Sequence, residues 1–115
     1  MNGTGVGDLA KVFKALGDET RLRLVVEVAS KGEVTCGEFA ALCACTPSAL
    51  TYHQRVLIDA GLIRVRRAGQ YRMLSLRPET FELLLPGFLE RLAMAGASAT
   101  ADAAASPGTA LVGSV

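Results

Sequence analysis

Two helix starts lie about eleven residues apart in the middle of this chain, and that spacing constrains the fold more than any other feature. Thr35-Cys36-Gly37-Glu38 reads as a capping box, in which the Thr35 hydroxyl and the Glu38 carboxylate each take an orphan backbone N–H. Thr46-Pro47 is the second start: Thr46 is a good N-cap, and Pro47 falls at the first helical position, where its missing N–H costs nothing. A short helix with Phe39, Leu42 and Cys43 inward must therefore stop near Ala44-Cys45. A second helix then runs from Pro47 to about Ala60 and ends at Gly61. Two helices joined by so short a turn are the spacing of a helix-turn-helix.

The flanking segments supply the rest of a small domain. Leu9, Val12, Phe13 and Leu16 recur at one helical face, and Gly17-Asp18 reads as a stop followed by an N-cap. Leu22, Val25, Val26 and Ala29 repeat the spacing, with Leu24 and Val28 widening the stripe. After Gly61 the period changes to two: Ile63 and Val65 alternate with Arg64 and Arg66. Arg67-Ala68-Gly69 reads as a turn, and Gln70 to Leu76 as the returning strand. Pro78 opens a last helical stretch bearing Phe81, Leu84, Leu85, Phe88 and Leu92, with a kink or break expected at Pro86-Gly87. The expected fold is mainly α with a small β-hairpin, a winged helix-turn-helix in the order α-α-α-α-β-β-α. Residues 1–95 form its one domain; residues 96–115, rich in Ala, Gly and Ser, are expected to be a disordered tail.

Composition excludes more than it selects. Half of the 115 residues are apolar, enough for one core, and no apolar run approaches the roughly 18 residues of a membrane span. Met1-Asn2-Gly3-Thr4-Gly5 has neither the basic nor the apolar region of a secretion signal, so the cytoplasm is the expected compartment. An enzyme fits worst: the single histidine, His53, is the only base a triad could use, and no Gly-rich phosphate loop follows a strand. No cofactor and no resident metal are expected.

Charge selects the partner. The net charge is only +1, but residues 48–77 hold six arginines against Asp59, a balance of +5, while residues 1–47 and 78–115 carry −1 and −3. Ser48, Thr51, Tyr52 and Arg55 share one polar face of the second helix of the pair. This combination points to a recognition helix in a major groove of double-stranded DNA, flanked by an Arg-rich wing. Ser48, Thr51, Tyr52 and Arg55 are expected to read bases or clamp backbone, and Arg66, Arg67 and Arg72 to serve the wing. Thr46 caps the recognition helix, where a phosphate also fits. His53 either packs beneath that helix or touches a phosphate. The rival of another class is a winged-helix protein–protein module, which the excess of arginine disfavours.

These residues also carry a resemblance. Leu16-Gly17-Asp18-Glu19-Thr20-Arg21-Leu22-Arg23-Leu24 resembles the "LGDPTRLRIL" segment of ArsR/SmtB-type winged-helix regulators. The stretch from Cys45 to Leu57 resembles their "LSQPTVSHHLKVL" recognition helix. Asp59-Ala60-Gly61-Leu62-Ile63 resembles "EAGLV", and Arg66-Arg67-Ala68-Gly69-Gln70-Tyr71 the wing's "RREGRWVYY". The resemblance spans about residues 8–92 and implies a homodimeric bacterial repressor on an operator, its first and last helices pairing the subunits. The family's metal sites are not carried over. Where the metal-binding version has "ELCVCDL", this chain has Glu33-Val34-Thr35-Cys36-Gly37-Glu38-Phe39, and its last helix has no histidine.

Three cysteines leave alternatives open. Cys36 and Cys43 lie seven apart on one face of the short helix, and Cys45 follows in the turn. They read as small apolar fillers of an Ala-rich core, as a thiol sensor at the hinge of the DNA-reading motif, or as a three-sulfur site for a thiophilic ion such as arsenite. A constitutive repressor with no effector is compatible with all of these residues.

Overall fold

Capping residues set the helix starts wherever the chain supplies them. In the computed structural model, which describes residues 5–101 and side chains as far as residue 94, α1 spans Val6–Leu16 and α2 Glu19–Lys31. Asp18 caps α2 by accepting the Arg21 N–H at 3.0 Å. A three-residue strand β1, Glu33–Thr35, leads into α3, Cys36–Cys43. Both bonds of the capping box are made: Thr35 Oγ1 accepts the Glu38 N–H at 3.1 Å, and Glu38 Oε1 accepts the Thr35 N–H at 2.8 Å. The α4 helix, Pro47–Asp59, starts on Thr46, whose Oγ1 accepts the Ala49 N–H at 3.1 Å. The hairpin follows as β2, Ile63–Ala68, and β3, Tyr71–Leu76, closed at Gly69, whose φ of +64° is open to glycine at little cost. Helices α5, Pro78–Leu84, and α6, Phe88–Ala101, complete the chain.

Two elements depart from the expected order. The sheet has three strands, ordered β1-β3-β2, because Val34 pairs opposite Leu74 and both side chains are fully buried. A three-residue strand shows no period in a sequence; only its partner reveals it. The last helical stretch breaks at Pro86-Gly87 as expected, with Gly87 at φ +83°, and so forms two helices where the expected order had one. The boundary expected at residue 95 falls inside α6, and the rest of the Ala/Gly/Ser-rich tail lies outside the described residues.

The core gathers Val12 and Ala15 from α1, Leu24, Val25 and Val28 from α2, and Phe39, Leu57, Leu74 and Phe81 from the elements around them. Each large side chain buried here is worth about 1.5–3 kcal/mol, enough to hold a β-branched helix such as α2 despite its modest intrinsic propensity. Phe13, expected on the inward face, is instead 56% exposed. Ala15 rather than Phe13 faces the core, so the buried stripe of α1 is rotated toward small residues.

Candidate nucleic-acid interface

The polar face of α4 lies open. Ser48, Thr51, Tyr52 and Arg55, expected together from their spacing, are all exposed, while Leu57 on the opposite side is fully buried. Thr46 stands at the N-terminus of this helix with its hydroxyl occupied as an acceptor, which leaves its O–H proton to donate. Pro47 has no N–H and that of Ala49 is taken by Thr46, so the first turn offers an anion the Ser48 N–H and the helix dipole.

His53 does not join the exposed row. It is half-buried, and its Nδ1 lies 3.2 Å from Nη1 of Arg21 on α2. The same guanidinium lies with its carbon 5.8 Å from the centre of the Tyr52 ring. Arg21 was absent from the residues singled out by sequence. The signal was present all the same: Arg21 stands in register with Leu24, Val25 and Val28, a charged residue at the head of a buried stripe.

The basic hairpin is not a uniform field. Arg66 is held by Glu33 of β1 through two bonds, Nε to Oε2 at 2.7 Å and Nη2 to Oε1 at 2.9 Å. Those hydrogen bonds pull the Glu33 carboxyl below its ordinary 4.5 and raise Arg66. Arg64 and Arg77 share Glu79, at 2.7 and 3.2 Å. The Glu79 carboxyl is lowered first by its own backbone N–H, then by the Arg77 bond and the two positive charges. Three of the six arginines between residues 48 and 77 are thus engaged on the protein itself, by two carboxylates. Among the described residues no carboxylate pairs with Arg55, Arg67 or Arg72.

Arg67 and Arg72 are register partners across the hairpin. Like charges directly opposite each other on neighbouring strands repel, and an anion between them removes the repulsion. Of the three arginines expected in the wing, the structure leaves these two available and commits Arg66 elsewhere. Strand alternation explains the division: Arg64 and Arg66 point to the face shared with Glu33, and Arg67 to the other.

The cysteines separate. Cys43 and Cys45 are joined by a disulfide, with Cα atoms 5.2 Å apart. The bond ties the last residue of α3 to the residue before the N-cap of α4. Between them Ala44 takes the left-handed conformation, φ 50° and ψ 41°, and its N–H reaches the Ala40 carbonyl at 3.1 Å. Cys43 is half-buried and Cys45 exposed, so this pair does not fill the core. Cys36 is free and half-buried against the core at the opposite end of α3, a helix about 12 Å long. One chain therefore does not bring three sulfurs together, and the three-sulfur ion site is not formed by it.

Comparison with known proteins agrees with this geometry. The family described as helix-turn-helix domain matches residues 16–66. The HTH-type transcriptional regulator YceK of Bacillus subtilis is 40% identical over 84 residues, covering 72% of this chain and 84% of that protein. The arsenical resistance operon repressor of the same species is 33% identical over 73 residues, covering 64% of this chain and 70% of the repressor. Among solved structures, an ArsR family transcriptional regulator superposes with a TM-score of 0.62 at 28% identity, over 77% of this chain and 91% of that one.

Proposed function

We propose that this chain, which belongs to the ArsR/SmtB-type family of winged-helix transcriptional regulators, is a DNA-binding repressor that acts as a homodimer on an inverted-repeat operator. The observation that carries the assignment is the open polar face of α4 beside a hairpin whose Arg67 and Arg72 face each other without a protein anion among the described residues. Thr51, Tyr52 and Arg55 read the major groove; Ser48 and Thr46 meet backbone at the helix start; Arg67 and Arg72 take phosphate. Arg66 braces the wing against β1. Exposed Val6 and Phe13 on α1, and Leu83 and Met94 on α5 and α6, support pairing of subunits through the first and last helices. No helix of the described residues is long and apolar enough to cross a membrane, in keeping with a partner that is cytoplasmic DNA. The role is binding rather than catalysis.

Selection from a pool of random duplexes, followed by footprinting, tests this. A two-fold dimer places its recognition helices about 34 Å apart or a multiple of that, so the selected site is an inverted repeat with that spacing. A single asymmetric half-site, or no sequence preference, favours the protein–protein module instead.

The Cys43–Cys45 bond favours a redox reading of release. One thiolate attacks a hydroperoxide oxygen, giving a sulfenic acid and an alcohol; the second thiol displaces water from it and closes the disulfide. The bond sits at the turn between α3 and α4, where a small change of helix angle supplies the roughly 1–3 kcal/mol typical of such coupling. Operator affinity measured reduced and after mild peroxide, in wild type and in Cys45→Ser, checks it. Equal affinity in both states of the wild type leaves constitutive repression.

A further inference from the structure

Arg21 is the one buried charged residue among those described. Its Nε donates to the Ala15 carbonyl at 2.8 Å and its Nη2 to the Lys14 carbonyl at 3.2 Å. Both carbonyls belong to the last turn of α1, the negative end of that helix, and they satisfy part of a desolvated guanidinium. A residue needed only to cap α1 would stop there. Instead Nη1 reaches across to Nδ1 of His53, 3.2 Å away on α4, and the cation lies against the Tyr52 ring. Two adjacent residues of α4, one turned inward and one exposed, are thus held by one fork.

Arginine has no acceptor, so in this contact Nδ1 of His53 is the acceptor. We propose that Arg21 is a positioning residue for DNA recognition: through His53 and Tyr52 it sets the rotation of α4 about its own axis and hence the presentation of Thr51, Tyr52 and Arg55. The proposal rests on α4 being the DNA-reading helix.

The test compares affinity for the selected inverted repeat with affinity for a random duplex, at fixed salt and pH. His53→Leu removes the acceptor and leaves the cap on α1 intact; His53→Asn offers Oδ1 in place of Nδ1. A hydrogen bond to a charged group converts to about 10- to 100-fold in a ratio of this kind. The expected results are a loss of about that size in His53→Leu and in Arg21→Met, and no further loss in the double variant. His53→Asn recovers most of the loss. An unchanged ratio in a folded His53→Leu, multiplying losses in the double variant, or a His53→Asn no better than His53→Leu overturns the positioning role alone. A wild type with no preference for any duplex overturns the DNA-reading assignment and this proposal with it.

Discussion

Replacing arginines of the wing one at a time should divide them by their partners rather than by their position in the sequence. Each phosphate neutralised adds about 0.9 to the slope of log affinity against log salt. Arg67 and Arg72, the two proposed phosphate contacts, have no protein carboxylate among the described residues, so the proposed homodimer offers four such groups. The expected slope is then about −3.6, and doubling the salt concentration costs roughly 12-fold in affinity. Arg67→Ala or Arg72→Ala removes one group from each subunit and brings the slope to about −1.8, with random and operator duplexes affected alike. Arg66→Ala should leave the slope unchanged, because its guanidinium is spent on both oxygens of Glu33. Fluorescence anisotropy with a labelled operator duplex, titrated at several salt concentrations, reads all of this. An Arg66→Ala slope that falls as far as the Arg67→Ala slope would show that DNA displaces Glu33, and the division of the wing by ion pairing would be wrong.

Three further outcomes follow from local geometry. Thr46→Ala removes the N-cap of α4 and should lower stability in urea by about 1 kcal/mol; under the proposed contact of this turn with phosphate, operator affinity should fall as well. Ala44→Gly, measured in reduced protein, should stabilise by about 0.5–1 kcal/mol: the left-handed alanine costs roughly 1–2, and glycine's extra freedom in the unfolded chain returns part of it. A destabilised variant would argue against the left-handed turn. Because Arg66 hydrogen bonds hold the Glu33 carboxyl below its ordinary 4.5 in the fold, the pairing stabilises above that value and fades as pH falls through the lowered one. Glu33→Gln should therefore lose less stability than wild type between neutral pH and strong acid, as followed by urea denaturation at each pH.

Local chemistry was legible in the chain itself. The two helix starts at Thr35 and Thr46, the stop at Gly61, the hairpin and the open face of α4 all rest on interactions within a few residues, which capping residues, glycines and periodicity encode directly. The same holds for the break at Pro86-Gly87, where proline removes a donor and glycine opens the left-handed region. Charge counts along the chain located the basic segment, but a count carries no distances.

Tertiary structure decided everything that depends on a distant partner. Glu33 and Arg66 lie 33 residues apart, and only the pairing of β1 with β3 brings them within 2.7 Å and takes Arg66 out of the wing. Val34 is a strand residue only because Leu74 stands opposite it. Arg21 and His53 are 32 residues apart on different helices, and nothing local says that a cation at the head of α2 turns inward to meet the recognition helix. Periodicity reports which face of an element is apolar; it does not report which polar groups meet across the gap between two elements. In this chain those meetings determine that Arg66 is paired with Glu33 and that α4 meets Arg21 of α2 through His53.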